Sequence, residues 1–224
     1  MVAGVLTATA LCVSVLLSPQ TVFSTSDSSL RIVLDAGHGG IDCGVRGKTT
    51  GVKESDINLA ITLALGETLE NDGFEVTHTR KTQAGLYGTT ARGFKKRDMQ
   101  RRKEIVEEAK PSLLLSIHQN FYPTSASRGA QVFYGQSSGK SEKFAHALQT
   151  ALNGLYEQQG AKKRNTMTGD YFMLRISNCP SVIVECGFLS NASDEKLLAS
   201  ASWQKSIAET IANGIKAYLY DYSS

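Results

Sequence analysis

Residues 30–40, LRIVLDAGHGG, decide how we interpret the fold, because an apolar run leads directly into a glycine-rich turn that carries a histidine. Short continuous apolar runs are typical of strands that are buried on both faces, as in parallel sheets. The same kind of run recurs at residues 113–118 (LLLSIH) and 182–185 (VIVE). We therefore predict three central strands, each of which ends beside an ionisable side chain.

Helical patterns separate these strands. Apolar residues recur every four positions from Ile57 to Leu69 and predict a helix that stops near residues 72–73. The remaining patterns predict helices at 95–109, 144–155 and 203–219, and strands at 74–79 and 130–134. Alternating strands and helices predict an α/β fold, a single three-layer domain with a mostly parallel central sheet flanked by helices.

The composition excludes several classes of protein. A chain of 224 residues with 41% hydrophobic and 20% charged residues is neither wholly disordered nor too short to bury a core. With 24 basic and 21 acidic residues, the net charge of +3 is far from that of a dedicated nucleic-acid binder, so we expect no nucleic-acid partner.

The N-terminal residues differ from the rest of the chain. Residues 1–17 are apolar and uncharged, and a Ser/Thr-rich stretch follows. We predict that residues 1–29 are a signal peptide or membrane anchor plus a linker, and that residues 30–224 are the folded domain. The protein is then exported, secreted or anchored, and touches the membrane only through this segment. A buried N-terminal helix is the alternative, because no Lys or Arg precedes the apolar run.

Four cysteines, Cys12, Cys43, Cys179 and Cys186, show no C-x-x-C spacing. Removal of the leader leaves three, so they cannot all pair within the chain. We predict small buried thiols for these three rather than a structural zinc site or a disulfide framework.

Two histidines and a glutamate are predicted at one edge of the sheet. Ligands of open α/β sheets bind beyond the carboxyl ends of the strands, where His38, His118 and Glu185 are expected. Two imidazoles and a carboxylate are a common set for catalytic zinc with one open position. A further carboxylate then serves as general base and acid. The other histidines, His78 and His146, are predicted to be ordinary core or surface residues.

The third ligand is left open by the pattern alone. Five acidic residues lie close to the predicted edge: Asp35, Asp42, Glu54, Asp56 and Glu185. Glu54 opens the first long helix, where the helix dipole by itself also favours an acidic residue.

Four ordered blocks carry a resemblance to a known family. Residues 32–40 (IVLDAGHGG), 53–59 (KESDINL), 115–120 (LSIHQN) and 182–191 (VIVECGFLSN) resemble the zinc-dependent N-acetylmuramoyl-L-alanine amidases of type 3. The resemblance spans roughly residues 30–219. These enzymes hydrolyse the amide between the lactyl group of N-acetylmuramic acid and L-Ala in peptidoglycan. The resemblance implies that this chain catalyses the same reaction.

The resemblance also assigns roles to individual residues. It implies that His38, Glu54 and His118 bind Zn²⁺ and that Glu185 is the catalytic carboxylate. Asn120, which follows the second histidine as in the family, and Arg175, which matches a Leu-Arg pair of the family, are expected to bind substrate. An ordinary exposed arginine is the alternative for Arg175.

A short chain of this kind resembles the spore-cortex branch of the family, whose members act in the formation of muramic-δ-lactam. That branch implies a location between forespore and mother cell and leaves room for a regulatory partner protein. The alternatives are a zinc peptidase that acts within the stem peptide and a non-catalytic cell-wall interaction module.

A basic run lies between Arg92 and Lys103, with seven Lys/Arg. We interpret it as a solvated helix face, with attraction to anionic wall polymers as the alternative. Arg102, within this run, matches an Arg of the family and is expected either to orient the site or only to balance charge.

Overall fold

The computed structural model of the chain describes residues 30–136 and 138–223. The predicted leader and linker, residues 1–29, lie outside these described residues. Among the helices of the described part, none is long and apolar enough to span a bilayer.

The described part of the chain forms one six-stranded sheet in the order β2-β1-β3-β6-β4-β5. The strands are β1 (Arg31–Ala36), β2 (Glu75–His78), β3 (Leu113–Asn120), β4 (Gln131–Tyr134), β5 (Met167–Thr168) and β6 (Ser181–Phe188). Strands β2, β1, β3 and β6 pair in parallel, whereas β4 runs antiparallel to β6. The prediction of a mostly parallel sheet in an α/β domain is confirmed.

Helices cover both faces of the sheet. Within residues 30–136 and 138–223 they are α1 (Glu54–Asn71), α2 (Phe94–Ala109), α3 (Gly139–Glu157), α4 (Ala192–Leu198) and α5 (Ala201–Ser223), with a short 3-10 helix at Phe172–Leu174. Strand β5, the 3-10 helix and α4 were not predicted from the sequence. Helix α4 carries a local signal that was not used, because the Asn191 side chain accepts hydrogen bonds from the backbone N–H groups of Ser193 and Asp194.

Alternate residues of β1 divide the interior into two unequal cores. Ile32 and Leu34 face the large core, which α1, α3 and α5 cover, while Val33 faces a small core with Val106 of α2 and Met173. The apolar stripe of α1 is fully buried in the large core, as its four-residue spacing predicts. The three layers are therefore present but thicker on one side.

The register of β3 and β6 places the ionisable residues. His118 is the direct neighbour of Glu185, so both side chains lie on the same face of the sheet. The prediction that these residues end their strands needs correction, since β3 continues to Asn120 and β6 continues to Phe188. Pairing between the strands, rather than their ends, brings the two side chains together.

The described cysteines, Cys43, Cys179 and Cys186, are all free thiols. Only Cys186 is buried, and the other two are half-buried, so the prediction of buried thiols is wrong for Cys43 and Cys179. Cys43 lies in the exposed loop after β1, which explains its access to solvent.

Candidate metal centre

His38 lies in the turn that directly follows β1. Its backbone has φ = 61°, the left-handed region that few residues other than glycine adopt, and glycines flank it on both sides. The ring Nδ1 lies 3.1 Å from Asp42 Oδ2. This contact leaves Nε2 to face Glu54.

Glu54 is the first residue of α1 and lies between the two histidines. Its Oε1 is 3.3 Å from His38 Nε2 and 2.9 Å from His118 Nδ1, while Oε2 accepts a hydrogen bond of 2.9 Å from the backbone N–H of Val45. Burial acts to raise the pKa of Glu54, but the hydrogen bonds and charges of His118 and His38 outweigh it and hold this pKa well below its usual range. The carboxylate is therefore ionised and ready to bind a cation.

The three predicted ligands fit a zinc ion. One donor atom each from His38, Glu54 and His118 lies within 4.8 Å of the other two. Two imidazole nitrogens and a carboxylate oxygen are a donor set that catalytic zinc sites use, and a carboxylate on the far nitrogen of a ligand histidine is a common support. Asp42 supplies that support to His38.

The geometry favours Glu54 over the other acidic candidates. Asp35 is buried beneath the turn and accepts hydrogen bonds from Arg102, Ser116 and Thr79. Its carboxylate is thus already occupied. Asp42 lies behind His38 rather than between the two imidazoles.

Glu185 has a buried carboxylate oxygen beside this cluster. Among the described residues, its Oε2 has no hydrogen-bond partner. Burial raises the pKa of Glu185 to about 7, and the charge of Glu54 adds to this effect while His118 and His38 oppose it. A carboxyl group with this pKa can both accept and donate a proton near neutral pH.

Two glycines allow the backbone to approach the cluster closely. A Cβ on Gly37 would lie 2.2 Å from His118 Nε2, and one on Gly44 would lie 2.3 Å from Glu54 Oε2. Gly39 and Gly40 instead face the loop after β2, at Ala84 and Tyr87.

Arg102 ties α2 to the end of β1. The residue is 1% exposed, and its guanidinium donates to Asp35, to Asp98 and to the backbone carbonyls of Ala36 and His38. It therefore orients the site, which resolves the alternatives that the sequence left open for this residue.

Arg80, which the sequence analysis missed, is a second buried anchor. It donates to the carbonyl oxygens of Ala36, Gly37 and Ser55, and so connects the turn after β1 to the start of α1. The signal in the sequence that could have identified Arg80 was its position directly after the predicted strand. The carbonyls that it binds are invisible in a sequence, because every residue has one.

The basic run of α2 is only partly a solvated face. Arg97 donates to four backbone carbonyls of the preceding loop, among them those of Tyr87 and Thr89. Arg102 is buried, as described above. The prediction of a solvated helix face is therefore wrong for Arg102, whereas Arg97 is exposed as predicted, although it also satisfies carbonyls that helix and sheet leave unpaired.

A cleft of about 410 Å³ opens at the cluster. Its lining consists of Asp35, Gly37, His38, Asp42, Tyr87, Phe94, Lys95, Asp98, Met99, Arg102, His118, Tyr171, Phe172, Met173, Ile183 and Glu185. Aromatic and aliphatic side chains thus surround a small group of ionisable residues, which is the usual character of a ligand site.

The two predicted substrate-binding residues lie outside this lining. Neither Asn120 nor Arg175 is among the described residues that line the cleft. Asn120 closes β3, and Arg175 is exposed and paired with Asp170 at 2.6 Å, directly after the 3-10 helix that forms part of the cleft wall. Their contact with substrate remains a prediction.

The other two histidines are remote from the cluster. His78 of β2 packs against Gly66 of α1, and His146 lies exposed on α3, 4.0 Å from Glu142.

Comparisons with known proteins find relatives along most of the chain. A family model described as N-acetylmuramoyl-L-alanine amidase matches residues 32–217. The germination-specific N-acetylmuramoyl-L-alanine amidase of Bacillus subtilis is 32% identical over 190 residues, which are 84% of this chain and 78% of that relative.

Solved structures match over the same part of the chain. The CwlD amidase from Clostridioides difficile, solved in complex with the GerS lipoprotein, has a TM-score of 0.81 and 38% identity, and the match covers 86% of this chain and 99% of that one. The catalytic domain of the amidase CwlV from Bacillus (Paenibacillus) polymyxa has a TM-score of 0.71 and 30% identity, with 85% and 98% covered.

Proposed function

Because this chain belongs to the N-acetylmuramoyl-L-alanine amidase family, we propose that it is a zinc-dependent enzyme whose catalytic carboxylate is Glu185 and whose role is in spore-cortex maturation. The coarser assignment, an amidase that acts on peptidoglycan, follows from the family itself. The zinc, the individual residue roles and the biological setting are the parts that need experiments.

The convergence of donor atoms from His38, Glu54 and His118 within 4.8 Å carries the proposal. A zinc ion held by these residues supplies a Lewis acid for the amide carbonyl and lowers the pKa of a water ligand to about 7. The chain keeps the donors in place by means of Asp42 behind His38 and by the anchor Arg102 beneath the turn.

Glu185 is suited to move the proton in this reaction. We assign to its Oε2 the acceptance of a proton from the attacking water and the later transfer of a proton to the leaving amine of L-Ala. A pKa raised to about 7 lets one carboxyl group take both roles. Hydrolysis of an amide needs the amine to leave protonated, so this second transfer is required for turnover.

Metal analysis tests the ligand assignment. We expect one zinc per purified wild-type chain and loss of that zinc in His38→Ala, Glu54→Ala and His118→Ala. His146→Ala is the matched control, because this exposed histidine lies on α3 and should keep both zinc and activity. Full zinc occupancy in the three ligand variants would refute the assignment.

Turnover of the Glu185→Gln variant tests the proton-transfer role. We expect it to bind zinc as the wild type does and to lose about 10² to 10⁴-fold in kcat. The comparison is made at equal zinc content, and retained turnover under that condition would overturn the role of Glu185.

Product analysis separates the amidase from a peptidase that cuts within the stem peptide. Mass spectrometry of digested peptidoglycan should find intact stem peptides with a free L-Ala amine. Shortened stems that remain attached to the glycan would identify a peptidase instead.

The cortex role is supported by the similarity to the germination-specific amidase and to CwlD. We expect deletion of the gene to remove muramic-δ-lactam from cortex muropeptides, and unchanged lactam content would exclude the role.

Export by residues 1–29 belongs to the same proposal, and a fusion of these residues to an enzyme active only outside the cytoplasm should give activity.

A regulatory partner is also proposed, because the structure of the C. difficile relative was solved in complex with a lipoprotein. Co-purification from sporulating cells under mild extraction would identify such a protein.

The proposed substrate contacts are tested by Asn120→Ala and Arg175→Ala, each expected to raise KM more than it lowers kcat.

A further inference from the structure

Lys95 is the exposed cation of the catalytic cleft. It lies in the first turn of α2, and 67% of its side chain is exposed. Arg102, the other Lys or Arg among the described lining residues, is buried and paired with Asp35 and Asp98, so it has no free charge to offer a ligand. Of the two Lys or Arg residues of this lining, Lys95 is therefore the one that can offer its charge to an anionic group.

The contacts of Lys95 leave it able to bind a second anion. Its Nζ lies 3.3 Å from Asp42 Oδ1, whose carboxylate is also bound by His38. An ammonium group has three donors, and an exposed ion pair of this kind contributes little to stability. A carboxylate of a ligand can therefore share the ammonium with Asp42 without displacing it.

The position of Lys95 relates it to the reaction centre. The Asp42 carboxylate bridges the two residues, since its Oδ2 lies 3.1 Å from His38 Nδ1 and its Oδ1 lies 3.3 Å from Lys95 Nζ. The ammonium group is thus within about two to three residue lengths of an extended peptide from the His38 ring. A group bound there belongs to a part of the substrate that is close to the scissile amide.

The chemistry of the substrate decides which part this is. In an uncut muropeptide the lactyl carboxyl group is part of the scissile amide, so the muramoyl side of that bond carries no carboxylate. Carboxylates lie only on the peptide side, on acidic residues that follow L-Ala and at the peptide terminus. Resting on the proposed function, we propose that Lys95 binds a carboxylate of the stem peptide close to L-Ala and so selects acidic stems.

Two matched muropeptides test this selection. They differ only in whether the residue after L-Ala carries a free carboxylate or the corresponding carboxamide. We expect wild-type enzyme to have about tenfold higher kcat/KM for the acidic muropeptide, since charge-assisted hydrogen bonds are stronger than neutral ones. Lys95→Met should lose this preference through a higher KM for the acidic substrate, and Lys95→Arg should keep it.

Lys96→Met is the matched control, because Lys96 is the next residue of the same helix turn and is exposed outside the cleft lining. It should keep the wild-type ratio. The ratio also separates this role from an indirect effect through Asp42 and His38, because a disturbed metal centre slows both muropeptides alike. An unchanged ratio in Lys95→Met overturns the proposal.

A binding measurement keeps the test independent of turnover. Calorimetry of both muropeptides with the Glu185→Gln variant should show the same tenfold preference for the acidic muropeptide. The double variant that also carries Lys95→Met should bind both muropeptides equally. If the proposed amidase function is wrong, the wild-type enzyme cleaves neither muropeptide, and if only the role of Glu185 is wrong, Glu185→Gln still turns over; neither outcome changes the binding preference. Failure of the Lys95 role would leave turnover intact and the two affinities equal.

Discussion

Gly37 and His118 show how closely the backbone packs against a predicted ligand. The His118 ring occupies the space where a side chain at position 37 would begin, at 2.2 Å from its Nε2. The backbone N–H of Gly37 also donates to the carbonyl of Ile117, the residue before His118. The absence of a side chain at position 37 therefore sets the orientation of the imidazole.

We expect Gly37→Ala to rotate the His118 ring away from Glu54 and to weaken zinc binding about 10 to 100-fold, the size of effect seen when a support of a metal ligand is lost. Competition with a chromophoric chelator measures the affinity. Gly154→Ala is the control, because its Cβ meets open space on α3, and it should leave zinc binding unchanged. Equal zinc affinity in Gly37→Ala and wild type would contradict the steric argument.

Burial of the Glu185 carboxyl group lowers the stability of the metal-free protein at neutral pH. Its folded pKa of about 7 lies above the usual value of a glutamate in an unfolded chain, about 4.3. As pH rises above about 4, the unfolded state loses its proton first, so stability falls until the folded pKa is reached and is then constant. The loss of folding stability caused by Glu185 is thus absent at low pH and complete above about pH 7.

We therefore expect Glu185→Gln to stabilise the metal-free protein by about 3 to 4 kcal/mol at pH 8 and to have little effect at pH 4. Urea unfolding in the presence of a chelator measures both values. Glu67→Gln, at an exposed position of α1, should change the free energy of unfolding by less than about 0.5 kcal/mol at either pH. A stability gain that is equal at both pH values would contradict the assigned pKa.

At the level of elements, a buried ion pair holds α2 against β1. Burial acts to raise the pKa of Asp35, but Arg102 and two hydroxyl donors outweigh it, so this pKa is lowered and the carboxylate stays charged. The same arginine binds the carbonyl of His38. Helix α2 thus determines where the turn after β1 places the first predicted ligand.

We expect Arg102→Met to cost about 3 to 5 kcal/mol of stability, because it leaves Asp35 charged and buried without the cation that pairs with it. The double variant with Asp35→Asn should recover part of this loss. Arg101→Met is the control, since its exposed pair with Glu104 should contribute about 1 kcal/mol or less. Similar losses in Arg101→Met and Arg102→Met, measured by chemical denaturation, would rule out this role.

At the scale of the whole molecule, the large core is separate from the site, whereas the small core adjoins it through Met173. The large core lies between the sheet and α1, α3 and α5, and the small one lies under α2. Both consist of apolar side chains, whereas two of the predicted ligands, His38 and His118, line the cleft. The fold therefore does not require the ion, in contrast to small domains that fold only around a metal.

Removal of metal by a chelator should abolish activity and leave the far-UV circular dichroism unchanged. Added zinc should restore activity and raise Tm, because a ligand that binds only the folded state stabilises it by mass action. His38→Ala should show no such rise in Tm. Loss of secondary structure on chelation would contradict the separation of core and site.

Much of the fold could be predicted from the sequence because the signals are local. The four-residue spacing from Ile57 to Leu69 is buried along its whole length, and the apolar runs of β1, β3 and β6 are central strands. Short elements were missed, since β5 has two residues and no periodicity to detect. The bulk of the architecture follows from patterns that each segment carries by itself.

The sequence by itself predicted that His38, His118 and Glu185 lie at one edge of a parallel sheet, and its resemblance to a family singled out Glu54. Only the tertiary structure decided that His118 pairs with Glu185, that Asp42 supports His38, and that Arg80 and Arg102 hold the turn between them. The physical reason is the distance along the chain over which each kind of interaction acts. Hydrophobic periodicity acts within one segment, whereas register and hydrogen bonds to backbone carbonyls join segments that are far apart in the chain.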